Sequence, residues 1–192
     1  MASVACIRLD WDRTAIPLPL PGAWHAVHVS PEPGYPAGRK GLQLAGAWDQ
    51  YAGPRTDGML IMDGDVVADL ADVREMLRAI DVAPRSVWTA WARLWRPVPG
   101  VTPWPGWVWG HWAEQPSQAR PAPPAREGAP FPMPRWFSFC FTYLPRRLID
   151  DCRRHGLESW TFPHVDTRVS QRAQVLGLPV GVVDCEVKHV HW

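Results

Sequence analysis

Apolar residues arrive along this chain in short bursts broken by proline, glycine and acidic residues. That pattern suits strands alternating with helices. Val4, Ala5, Cys6 and Ile7 form one burst within Ser3 to Leu9, and Asp10-Trp11-Asp12-Arg13 reads as the polar loop closing that strand. A proline-rich connection (Pro17, Pro19, Pro21) leads to Trp24 to Val29, whose alternation predicts a second strand stopping at Ser30-Pro31. From Gly38 to Ala52 the spacing of Leu42, Ala45 and Trp48 predicts a helix. Gly58 to Val67 is a compact apolar strand that runs into Asp63-Gly64-Asp65. Asp69 or Asp72 is placed to cap the next helix, with Val73, Met76, Leu77 and Ile80 on its buried face.

Ser86 to Arg96 fits two patterns. Trp88, Trp91 and Trp95 share a helical face, while Val87 to Leu94 also alternates along a strand, and the strand is preferred. Pro97 to Pro134 holds 11 prolines and few charges, the mark of a long irregular insertion. Trp136 to Thr142 predicts a strand, and Pro145 opens a helix from Arg146 to about His155, closed by Gly156. A further helix spans Asp166 to Leu176. Val180 to Val190 reads as the last strand, with Val187, His189 and His191 on one face. This succession predicts one α/β domain, residues 1–192, Rossmann-like, with a mainly parallel sheet flanked by helices.

Charge narrows the partners. Twenty Lys+Arg against 19 Asp+Glu give no field that gathers nucleic acid or an anionic membrane. No apolar run is long enough to cross a bilayer and no secretory signal opens the chain, so a soluble, cytoplasmic protein is expected. The four cysteines form no C-x-x-C pair and read as buried thiols. Thirteen tryptophans are unusual; Trp104, Trp107, Trp109 and Trp112 in the insertion form either a local minicore or a stacking surface for sugars or bases.

Three segments carry candidate chemistry. Asp63 and Asp65 sit where a strand ends, the place at which ligands collect in α/β sheets, and two carboxylates in a tight turn can hold a hard cation. The plainer reading is an acidic turn that caps a helix. His189-Val190-His191 offers two imidazoles on one side of the final strand, or a packed surface pair. Asp166 opens a helix either as an N-cap or as a general base, and Arg168 and Arg172, one turn apart, either face a phosphate or are solvated. Arg146, Arg147, Arg153 and Arg154 hint at a polyanion, although a solvated helix face accounts for them equally.

In this order, the motifs resemble the GT-A family of nucleotide-sugar glycosyltransferases. Gly38-Arg39-Lys40-Gly41 followed by Met59 to Asp65 looks like the family's passage from a basic helix start to its Asp-x-Asp strand. His164-Val165-Asp166 looks like its acidic motif, and His189 or His191 like its C-terminal metal-binding His. The resemblance covers roughly residues 3–96 and 136–192. It implies Mn2+ or Mg2+ on Asp63, Asp65 and His189 or His191, and a nucleotide sugar, UDP-sugar favoured, held by Asp10, Lys40, Asp63, Arg168 and Arg172. Asp166 would be the base of an inverting transfer to an acceptor hydroxyl. The acceptor is left open, a glycan or a hydroxymethylated DNA base among the options. Two other classes remain: a carbohydrate-binding module on a degenerate transferase fold, and a metal-dependent nucleotidyltransferase using the same aspartates.

Overall fold

The computed structural model describes residues 1–11, 24–29, 40–64, 66–95, 108–109, 137, 139–160 and 165–190. Its strands are β1 (Val4–Trp11), β2 (Trp24–Val29), β3 (Gly58–Asp63), β4 (Val66–Val67), β5 (Val87–Trp95), β6 (Val108–Trp109), β7 (Phe141–Pro145) and β8 (Val180–Val190). The helices are α1 (Lys40–Tyr51), α2 (Leu70–Val82), α3 (Arg146–Arg154) and α4 (Val165–Val175). The strands form one sheet in the order β2-β1-β3-β7-β5-β8-β4, with β6 beside β5.

The α/β class expected from the alternating pattern is present, but the sheet is mixed rather than mainly parallel. β1 runs parallel to β2 and β3, and β5 runs parallel to β8. Between these groups lies β7, antiparallel to both β3 and β5, and the two-residue strands β4 and β6 are antiparallel to their partners as well. Direction follows from pairing partners far apart in the chain, which a local hydrophobic pattern does not encode.

Strand β3 sits at the centre. All six of its residues are buried, as expected for a strand covered on both faces. Met59 and Ile61 enter a core built with Leu44, Trp48, Leu148, Ile149, Val165 and Val169 from α1, α3 and α4. Leu60 and Met62 point the other way, into a core with Val73, Met76 and Ile80 of α2. Helix α2 starts as its sequence requires. Asp69 Oδ1 accepts from the N–H groups of Ala71 and Asp72, and Asp72 returns a bond to the Asp69 N–H, closing a capping box.

Three local expectations change. β1 continues through Asp10 and Trp11, because β2 pairs with it to the end, Asp10 opposite His28 and Trp11 opposite Val29. The strand expected from Trp136 starts only at Phe141, with a bend at 139–140 before it. Pro145 ends that strand and caps α3 rather than lying in its first turn. The ambiguous tryptophan segment is a strand, β5. Of the insertion, Val108–Trp109 pairs with Ala92 and Arg93; Trp104, Trp107 and Trp112 lie outside the described residues.

Candidate active site

The C-terminal end of β3 delivers Asp63. Leu9 pairs with Asp63, so Asp10 follows at the same edge of the sheet, and Val66 pairs with His189, so the last strand returns there too. The Gly64 N–H donates to the Leu9 carbonyl at 2.8 Å and fastens the turn that leaves β3. Backbone pairing thus gathers segments near residues 10, 63 and 189, remote in sequence, at one end of the sheet.

Helix α1 adds Lys40 at its first residue, only 2% exposed. A cation there opposes the positive end of the helix dipole and is also stripped of water, two unfavourable terms that need compensation. Compensation comes from two carboxylates. Lys40 Nζ lies 2.8 Å from Asp63 Oδ1 and 3.9 Å from Asp166 Oδ1, and 5.1 Å from the centroid of the Phe139 ring. Burial disfavours the ammonium, but Asp166 and Asp63 outweigh that and hold the Lys40 pKa above the ordinary lysine value.

Asp166 stands in the first turn of α4, where a negative charge suits the dipole. Its Oδ2 accepts the Phe139 N–H at 3.1 Å. Burial lifts its pKa above the usual carboxylate range; Lys40 pulls it back, Asp63 pushes it up again, and the Phe139 N–H opposes the rise without cancelling it. The Asp166 side chain is 24% exposed against 2% for Lys40.

The bend at 139–140 joins the two acids. The Phe139 N–H serves Asp166, and the Cys140 carbonyl accepts the Asp63 N–H at 3.3 Å. Sequence reasoning missed this bend, because Trp136 to Thr142 is rich in aromatic residues and has no Gly or Pro inside it.

The remaining sequence candidates fall into two groups. Asp65 and His191 lie outside the described residues, and Asp10 and His189 are placed through their backbones. Arg168 lies over the Trp160 ring, 5.6 Å from Cζ to its centroid, and Arg172 Nε binds Asp151 Oδ2 at 2.6 Å. Among the described residues neither arginine makes an ion pair with Asp63 or Asp166. Nor do the described residues contain three or more His, Cys, Asp or Glu side chains grouped to hold a metal ion. Asp63 ends β3, and Asp10 and His189 come to the same sheet end through their backbones.

Known proteins add no constraint: no family model matches the chain, and no curated protein is significantly similar to it. Among the described residues no helix is long and apolar enough to cross a membrane.

Proposed function

We propose that the protein is a metal-dependent glycosyltransferase of GT-A type, moving a sugar from a nucleotide-sugar donor, UDP-sugar favoured, to an acceptor hydroxyl. The observation that carries this reading is the meeting of Asp63 and Asp166 on the single ammonium of Lys40, 103 positions of chain notwithstanding, at the sheet end to which β8 also returns. α/β sheets bind ligands at such ends.

Asp63, with Asp65 and His189 or His191, would hold Mn2+ or Mg2+. When bound, that cation offsets the charge gathering on the departing diphosphate. The protein's own groups do the rest. Asp166 presents Oδ1 to an acceptor hydroxyl while the Phe139 N–H fixes Oδ2, and its raised pKa suits a base that takes a proton as the hydroxyl attacks. Attack from the face opposite the leaving group inverts the anomeric centre. Lys40, fully charged, keeps two neighbouring carboxylates from repelling each other apart, so the base stays at a fixed distance from Asp63.

The test is nucleotide release from a panel of nucleotide sugars with manganese present. Asp166→Asn keeps an oxygen for the Phe139 N–H and leaves Asp63 to balance Lys40, but loses the base; with its melting temperature recorded alongside, its turnover should fall roughly 10²–10⁴-fold. Absence of turnover with every donor, undiminished activity of Asp166→Asn, or turnover of nucleoside triphosphates in place of nucleotide sugars overturns the assignment.

A further inference from the structure

Helix α3 carries four arginines, and the structure divides them. Arg153 is consumed by Asp49, at 2.7 and 3.0 Å. Arg146, Arg147 and Arg154 line a cavity of about 730 Å³ at the start of β3, the end of the sheet opposite Asp63. Of these, Arg146 is tied down: it donates to the carbonyls of Thr56 at 2.7 Å and Gly53 at 2.6 Å and lies 4.8 Å from the Trp48 ring centroid, so it binds the 53–56 loop to the helix. Arg55 from the 53–56 loop and Arg85 from the turn after α2 complete its wall.

Five guanidiniums and two carboxylates, Asp57 and Asp150, surround this space, an excess of three positive charges. Arg55, Arg85 and Arg147 have no ion-pair or hydrogen-bond partner among the described residues. Asp57 is partly occupied, its Oδ2 accepting the Ser3 N–H at 2.8 Å. The arginines sit on braced supports. Tyr143 Oη donates to the Pro84 carbonyl at 2.9 Å and Trp88 Nε1 to the Ala83 carbonyl at 3.0 Å, which fixes the turn bearing Arg85. The Gly53 N–H donates to Thr56 Oγ1 at 2.9 Å and fixes the loop bearing Arg55. Pro145 caps α3 with no side-chain acceptor and no acid follows in the first turn, so the positive end of the helix adds to the field.

A guanidinium fork matches phosphate oxygens, and this cavity has the volume of a small-molecule site. Pro54, Pro84 and Leu178 give it an apolar rim suited to a compact ligand. A long polyanion would need a wider basic field than a chain of net charge +1 supplies. We propose that this cavity binds a small molecule bearing two or three linked phosphates. The site is separate from the one around Asp63, roughly 16 Å away along β3, and stands whether or not the transferase reading holds.

Calorimetric titration of the full chain with inorganic tripolyphosphate, at physiological ionic strength and with chelator present, tests it. Wild type should bind, and Arg85→Ala/Arg147→Ala should weaken that event at least tenfold, since each charge-assisted contact accounts for about that factor. Both side chains are exposed, and an unchanged melting temperature shows that the fold is intact. Asp63→Asn, compared at a temperature where its own melting curve shows it folded, should leave binding unaltered. Loss of the event in Asp63→Asn but not in the arginine variant assigns it to the other end of the sheet and overturns the proposal. So does equal affinity for orthophosphate, or displacement of tripolyphosphate by a short DNA duplex at lower phosphate concentration. Failure of nucleotide-sugar turnover leaves this result untouched, so the two readings fall separately.

Discussion

Asp151 on α3 is buried and gathers two guanidiniums and an imidazole: Arg172 Nε at 2.6 Å, with Arg154 and His155 each at 3.6 Å. The hydrogen bond from Arg172 holds its carboxyl below the usual carboxylate range; burial works the other way and loses. The pair also ties α3 to α4, the helix that presents Asp166. Because the folded-state pKa is depressed, the resulting stability is fully present above the unfolded carboxylate value, about 3.9, and is lost as pH falls through the folded value below it. Asp151→Asn should therefore melt roughly 5–10 °C below wild type near neutrality. The gap should hold down to about pH 5 and narrow in stronger acid. A melting curve series against pH for both proteins checks this, and a gap that widens toward acid contradicts it. Nothing in the sequence pointed to this pair, since 21 positions separate its members and Arg172 was read as facing a phosphate or solvent.

Helix α1 holds two glycines with opposite duties. A methyl group on Gly41 would overlap the Leu157 carbonyl oxygen and come within 2.6 Å of the Trp160 carbonyl oxygen, while one on Gly46 would meet no atom within 4 Å. The helix start is thus pressed against the 3-10 turn at Leu157–Ser159, with the Gly41 N–H donating to the Trp160 carbonyl at 3.0 Å, and this close approach sets where the adjacent Lys40 emerges. Gly41→Ala should destabilise by about 1–3 kcal/mol through overpacking, since the neighbouring backbone must shift. Gly46→Ala should stabilise by about 0.5–1 kcal/mol, because alanine is the better helix former and loses less freedom on folding. Denaturant midpoints of the two variants should move in opposite directions; a shared direction would refute the close-packing account. Element positions were largely readable in advance, because periodicity, the Asp69 cap and the glycine after α3 are local signals. The bend at 139–140 and the direction of β7 were not, since both depend on partners supplied by distant segments.

At the scale of the molecule, one sheet serves two helical layers, and β3 is the strand through which they communicate. Asp63 could be picked out from sequence because it ends this strand, and Asp166 because it opens a helix. That the two serve one site was implied only by the family resemblance, and their pairing with Lys40 was not foreseen, because it depends on the tertiary path. Adjacent residues of β3 test how tightly the layers are joined: Ile61 is fully buried in the core under α1, α3 and α4, and Leu60 is fully buried in the core under α2. Each truncated to alanine removes several buried methyl groups and should cost about 2–5 kcal/mol. If the layers share their stability through the sheet, both variants should lower the same single unfolding midpoint without changing its denaturant dependence. The intrinsic tryptophan signal and the far-ultraviolet dichroism should then report coincident transitions in both. Separate transitions, with Leu60→Ala moving one and Ile61→Ala the other, would mean that the α2 layer unfolds independently of the layer that carries Lys40 and Asp166. Coincidence would make the candidate site sensitive to packing on either face, and Leu60→Ala, though on the opposite side of the sheet from α1, should lower the melting temperature as much as Ile61→Ala does.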